Sequence, residues 1–119
     1  MTALNELSLD DARKFVNNGD VTSLELVQAC LKQIEKHDDK LNTFIRLESE
    51  LAQTQAEEFD KNRKRQSEIG LLAGVPLAHK DMYYRAGLFT TCGSKIRRDY
   101  KSTTTSTAIE RLAKSGALN

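Results

Sequence analysis

Leu72-Ala73-Gly74-Val75-Pro76-Leu77-Ala78-His79-Lys80-Asp81 is the stretch whose reading decides the fold of this chain. Residues 75–79 are short, mostly apolar and strand-like, with Pro76 near the start, where a sheet tolerates a proline. Lys80 stands at the end of the run. An ammonium buried there loses hydration, and the same burial lowers its pKa until it can accept a proton near neutrality. In a strand, Ala78 and Lys80 share one face, while Leu77, His79 and Asp81 share the other. Asp81 is thus directed away from Lys80 and does not raise its pKa by pairing. The same periodicity fits a strand end that delivers a charge to solvent. His79 reads as a packed or hydrogen-bonded strand residue.

Downstream, Gly87 and Gly93 punctuate Ala86-Gly87-Leu88-Phe89-Thr90-Thr91-Cys92-Gly93-Ser94, a loop around a short extended piece. A last helix is expected over about residues 106–115, ended by Gly116. Thr105 and Thr107 compete as its N-cap, and Ala108, Ile109 and Leu112 face inward.

Upstream, the chain is helical. A first helix begins after Ser8 and ends at Gly19. A second opens on the capping box formed by Thr22 and Glu25 and runs to about Lys36. Its stripe of Leu24, Val27, Leu31 and Ile34, widened by Leu26 and Cys30, must bury a broad face. His37 at its end reads as solvated. Residues 42–47 suggest a short strand or extended segment. A third helix is expected over about residues 48–65, with Ala52, Ala56 and Phe59 inward and Glu57 paired with Lys61. The basic run Lys61-Asn62-Arg63-Lys64-Arg65 reads as a cationic helix end that complements the macrodipole.

Bulk properties set limits. A length of 119 residues with 39% hydrophobic content and no Trp allows one domain with a lean core. Eighteen basic against 17 acidic residues leave a net charge of +1, so no nucleic-acid partner is expected. Cys30 and Cys92 lie far apart without CxxC spacing, so no metal site is expected. Cys30 reads as an inert buried thiol. No apolar stretch is long enough to span a membrane. With no signal peptide in the sequence, the expected compartment is the reducing cytoplasm.

The stretch around Lys80, with Ala86-Gly87, Thr90-Thr91-Cys92-Gly93-Ser94 and Ile109-Glu110-Arg111-Leu112-Ala113-Lys114-Ser115-Gly116-Ala117, resembles the amidase signature family. Thr22-Ser23-Leu24-Glu25-Leu26 and Leu41-Asn42-Thr43-Phe44 resemble its amino-terminal region. The resemblance implies an α/β fold, a mixed sheet flanked by helices, of which this chain carries the helix-rich amino-terminal part with a few strands. Residues 1–119 would form the amino-terminal portion of one amidase domain, helical to about residue 69 and strand–loop–helix from 70 to 119. It also implies hydrolysis of amide bonds without metal or cofactor, by a serine nucleophile, a second serine with a cis peptide bond and a lysine. Lys80 matches that lysine, the base acting through the cis serine. Both serines belong to a Gly- and Ser-rich stretch that these residues do not include, so the fragment alone is expected to be inactive.

The pattern is broken at His79, where the family has an aliphatic residue, and at Met82, where many members have Asn. Thr105 replaces an acidic cap of the last helix. The Met82 departure weighs against the family branch that serves within a multi-subunit, tRNA-dependent amidotransferase, which remains the alternative. A non-catalytic, helix-rich segment that binds a partner is the other. The expected partners are a small-molecule amide and the remainder of the domain. A homodimer through the amino-terminal helices is left open.

Overall fold

The computed structural model describes residues 2–63 and 70–118. Four helices carry it: α1 (Leu9–Asn18), α2 (Ser23–Leu41), α3 (Ser49–Asn62) and α4 (Thr107–Lys114). Short 3₁₀ turns lie at Leu4–Glu6 and Lys95–Arg97.

The ends of α1 and the start of α2 follow the expected chemistry. The Ser8 side chain accepts the Asp11 N–H, and Gly19 ends α1 in a left-handed backbone. Thr22 and Glu25 cap α2 reciprocally. A second cap arrives from elsewhere. The Asp60 carboxylate of α3 accepts the Ser23 and Leu24 N–H groups at 2.9 and 3.0 Å. All four donors left over at the start of α2 are thereby satisfied by side chains.

Helix α2 runs five residues past Lys36, to Leu41. The apolar stripe that marked it in sequence stops earlier, but the polar residues that follow are no obstacle to a helix. It ends at Asn42, whose φ of 50° is left-handed. The Asp38 carboxylate then catches the outgoing chain through the Thr43 and Phe44 N–H groups. His37 is exposed, as expected, but lies just inside the helix end.

The core has two adjoining parts. Ala12, Val16 and Leu26 form one, with Leu4, Leu7 and Val21 packed against them. Val27, Ala56 and Leu118 form the other, with Leu24, Leu31 and Ala52. Phe59 touches both parts. The centre of α2's buried face is thus Leu26 and Val27; Leu31 and Ile34 are only half-buried. Helix α3 starts one residue after Glu48 and ends at Asn62. Lys61 pairs with Glu57, and Arg63 donates to the Asn17 carbonyl at the end of α1, so both serve helix ends. Lys64 and Arg65 lie outside the described residues.

No strand forms among the described residues. Residues 42–47 are irregular, with a bend at Ile45. Residues 75–79 make a single parallel bridge, Pro76 to Leu118. Leu118 N–H donates to Val75 O at 2.9 Å and Leu77 N–H to Leu118 O at 3.1 Å. These bonds flank Pro76, whose missing N–H is never required. Two positive-φ glycines bring the pieces together. Gly74 has φ 75°, and a Cβ there would lie 2.6 Å from the Phe59 ring; its carbonyl accepts the Ser23 hydroxyl. Gly116 has φ 87°, and a Cβ there would lie 2.8 Å from Ala73 Cα.

Helix α4 is capped by Ser106, not by Thr105 or Thr107, and Ser106 makes no side-chain cap. Thr105 is engaged elsewhere: its hydroxyl accepts the Ala86 N–H. Ile109 is buried and Leu112 half-buried, whereas Ala108 is exposed. The helix closes in a Schellman motif, with Gly116 N–H on Ala113 O and Ala117 N–H on Leu112 O.

Candidate active site

A cleft of about 710 Å³ opens between α2 and residues 76–81. Val27, Leu31 and Ile34 of α2 line one wall, residues 43–48 a second, and residues 76–81 with Phe89 and Thr91 a third. Cys30 also faces it, and burial pushes that thiol's pKa up, which suits an inert cysteine.

The side chains of residues 77–81 alternate as the sequence predicts. Ala78 and Lys80 are exposed, and Leu77, His79 and Asp81 are half-buried. Lys80 lines the cleft. The burial expected for it is not present in this chain. The backbone turns immediately after it, Lys80 O accepting the Met82 and Tyr83 N–H groups, and the side chain is left in solvent. Among the described residues Lys80 makes no ion pair, so Asp81 is not its partner.

Asp81 points the other way, into a clasp with the 90–93 loop. Its carboxylate accepts the Thr91 N–H at 2.9 Å and the Thr91 hydroxyl. Its main-chain carbonyl accepts the Cys92 N–H at 2.9 Å. Burial pushes the Asp81 carboxyl up. The hydrogen bonds from Thr91, with the neighbouring Gly93 N–H and the Arg46 charge, outweigh it, and the pKa falls below the ordinary 3.8. A depressed carboxylate stabilises the fold above its unfolded pKa and loses that contribution as pH falls through the folded one. The clasp should therefore stay closed at pH 3.8 and open only at lower pH. The Thr91 amide shift, followed by NMR down the pH scale, checks this; opening well above that pH would contradict it.

Sequence reasoning missed the polar groups around the cleft. Arg46 lies 3.9 Å from the Phe89 ring centroid and Lys101 lies 4.7 Å from it, two cations on one ring. Arg85 pairs with Glu48 at 2.9 Å, tying the two loops together. Arg46 and Phe89, like Glu48 and Arg85, come from opposite sides of α3 in the chain, beyond the reach of any local pattern. Thr91 was legible only as part of the Thr90-Thr91-Cys92-Gly93-Ser94 motif, with no sign of its link to Asp81.

No cluster of His, Cys, Asp and Glu able to hold a metal occurs among the described residues. No helix among them is long and apolar enough to cross a membrane.

The sequence pattern of the amidase family matches residues 25–119. Over 115 residues the chain is 36% identical to the A subunit of the glutamyl-tRNA(Gln) amidotransferase of Natranaerobius thermophilus, covering 97% of this chain and 23% of that protein. Over 100 residues it is 40% identical to the same-named protein of Halorhodospira halophila, covering 84% and 20%. Among solved structures it is similar to the peptide amidase of Stenotrophomonas maltophilia, with a TM-score of 0.85 at 28% identity over 95% of this chain and 23% of that one. It also shares the fold of a fatty acid amide hydrolase, with a TM-score of 0.90 at 23% identity over 98% and 21%. The chain spans less than a quarter of each of these proteins.

Proposed function

This chain belongs to the amidase family, and on that premise we propose that residues 1–119 are the amino-terminal portion of one amidase domain whose whole protein hydrolyses amide bonds. The observation that carries the reading is Lys80, lining a cleft at the end of an extended motif and without an ion pair among the described residues, the Asp81 carboxylate being bonded to Thr91 instead. In the whole protein Lys80 acts as the base. Through a second serine it takes the proton of a serine nucleophile, which attacks the amide carbonyl. Backbone N–H groups stabilise the oxyanion, and water then releases the acyl group. Both serines come from outside this chain, and so does the packing that would cover Lys80.

The mixed sheet belongs to the same reading. Val75 and Leu77 exchange bonds with Leu118 in parallel, and α4 lies between them in the chain, which is how a parallel strand pair is connected. Residues 75–79 and 117–118 would be the first two strands. The cytoplasm is the compartment that suits Cys30 and Cys92, both free thiols.

A second reading is supported by the relatives at 36% and 40% identity, each the A component of an amidotransferase. On it the whole protein works with partner subunits. Met82 stands against it.

The test compares this 119-residue chain with the full-length protein on a panel of aliphatic and aryl amides. The full-length protein should turn over members of the panel. The chain alone should not, because it holds a base without its serines. Turnover by the chain clearly above that of its Lys80→Ala variant would overturn the proposal. Full-length activity that appears only with partner subunits would favour the second reading.

A further inference from the structure

We propose that Asp81 is a positioning residue for Lys80, fixing the backbone from which the lysine reaches into the cleft by clasping Thr91. The inference rests on the reading of Lys80 as the base.

The main chain at Lys80 needs such an anchor. On its amino-terminal side the last bridge bond is Leu77 N–H to Leu118 O, three residues back. On its carboxyl-terminal side the chain reverses at once, with Met82 and Tyr83 N–H on Lys80 O at 2.7 and 3.1 Å. A tight turn alone can pivot on the preceding extended run. The next residue prevents that. Asp81 is held to the 90–93 loop at three points, two on its carboxylate and one on its carbonyl.

The exposed Lys80 stem is flexible and carries a point charge, so its reach is determined where its Cα is held. Rates depend steeply on that placement; a shift of about 1 Å can cost on the order of 10²-fold.

The loop that receives Asp81 is itself held in an uncommon conformation. Cys92 has φ 53° and Gly93 φ 69°, the two central residues of a turn closed by Ser94 N–H on Thr91 O at 2.9 Å. A side chain in left-handed backbone persists only where its surroundings impose it, and such residues gather near functional sites. Here the Cys92 N–H is spent on the Asp81 carbonyl and Thr91 is buried. The strained turn thus presents its donors to the residue that follows the base.

The test uses the full-length protein and four variants: Thr91→Val, Thr91→Ser, Asp81→Ala and Lys80→Ala. Thr91→Val keeps shape and loses the hydroxyl. It should lower kcat by about 10- to 100-fold while KM stays within about twofold, because the loss is of alignment rather than substrate binding. Thr91→Ser keeps the hydroxyl and should recover most of kcat. Asp81→Ala should match or exceed the Thr91→Val loss. If it fails to fold, the Thr91 pair carries the result. A kcat for Thr91→Val within about twofold of wild type overturns the inference, and so does a loss shared equally by KM and thermal midpoint. An inactive Lys80→Ala beside a fully active Thr91→Val would remove this inference alone. A fully active Lys80→Ala would remove the base assignment and this inference with it.

Discussion

Lys80→Ala in the full-length protein is expected to lower kcat/KM by about 10²–10⁴-fold, the usual contribution of a general base. The fold should survive, for a reason visible in the structure. Lys80 makes no ion pair among the described residues, so truncation orphans no partner there, and removing a cation that the rest of the domain covers relieves its desolvation rather than emptying an apolar core position. Lys80→Arg should not restore activity, because a guanidinium stays protonated and cannot accept the serine's proton. The measurement is kcat/KM for the three proteins, with circular dichroism to compare their folding. A well-folded Lys80→Ala protein within about threefold of wild type would exclude the role, since that lies far below the expected range.

Leu26→Ala should produce the largest loss of stability among the α2 positions. Leu26 is 3% exposed and packs with Ala12 and Val16 between α1 and α2. Removing a buried leucine side chain costs about 2–5 kcal/mol, from lost burial plus the cavity left behind. In a chain with so lean a core, that is a large share of the total stability. Leu31, which the sequence periodicity places in the main stripe with Leu26 only widening it, is half-buried and should cost distinctly less. Urea denaturation of both variants, followed by circular dichroism, reads the difference. A Leu26→Ala midpoint equal to that of wild type would show that the α1–α2 contact does not hold the chain together.

The contrast between Leu26 and Leu31 shows how far a repeating pattern reaches. Periodicity places both on one broad face of α2, and both do lie there. Which of them is central depends on what α1 and α3 bring against that face, and Phe59, a whole helix further along the chain, is part of the answer. Asp60 is a sharper case. It reads as one more acid before a basic run, yet it caps α2. Ser106 displaced its neighbours as the cap of α4 for the same kind of reason, since Thr105 is drawn away by Ala86.

The sequence by itself determined what nearby residues settle among themselves. Ser8 and Gly19 bound α1, Thr22 and Glu25 start α2, and Gly116 closes α4, because a cap joins groups only a few residues apart. The alternation that separates Lys80 from Asp81 is local as well, a consequence of extended backbone. Only the tertiary structure decided where those elements meet. It reduced the expected strands to a bridge at Pro76 because, among the described residues, Leu118 alone bridges to that run. It left Lys80 exposed, and it joined Asp81 to Thr91 across ten positions. Such outcomes turn on which distant groups arrive to bury a side chain or accept its hydrogen bonds, and no spacing along the chain encodes their arrival.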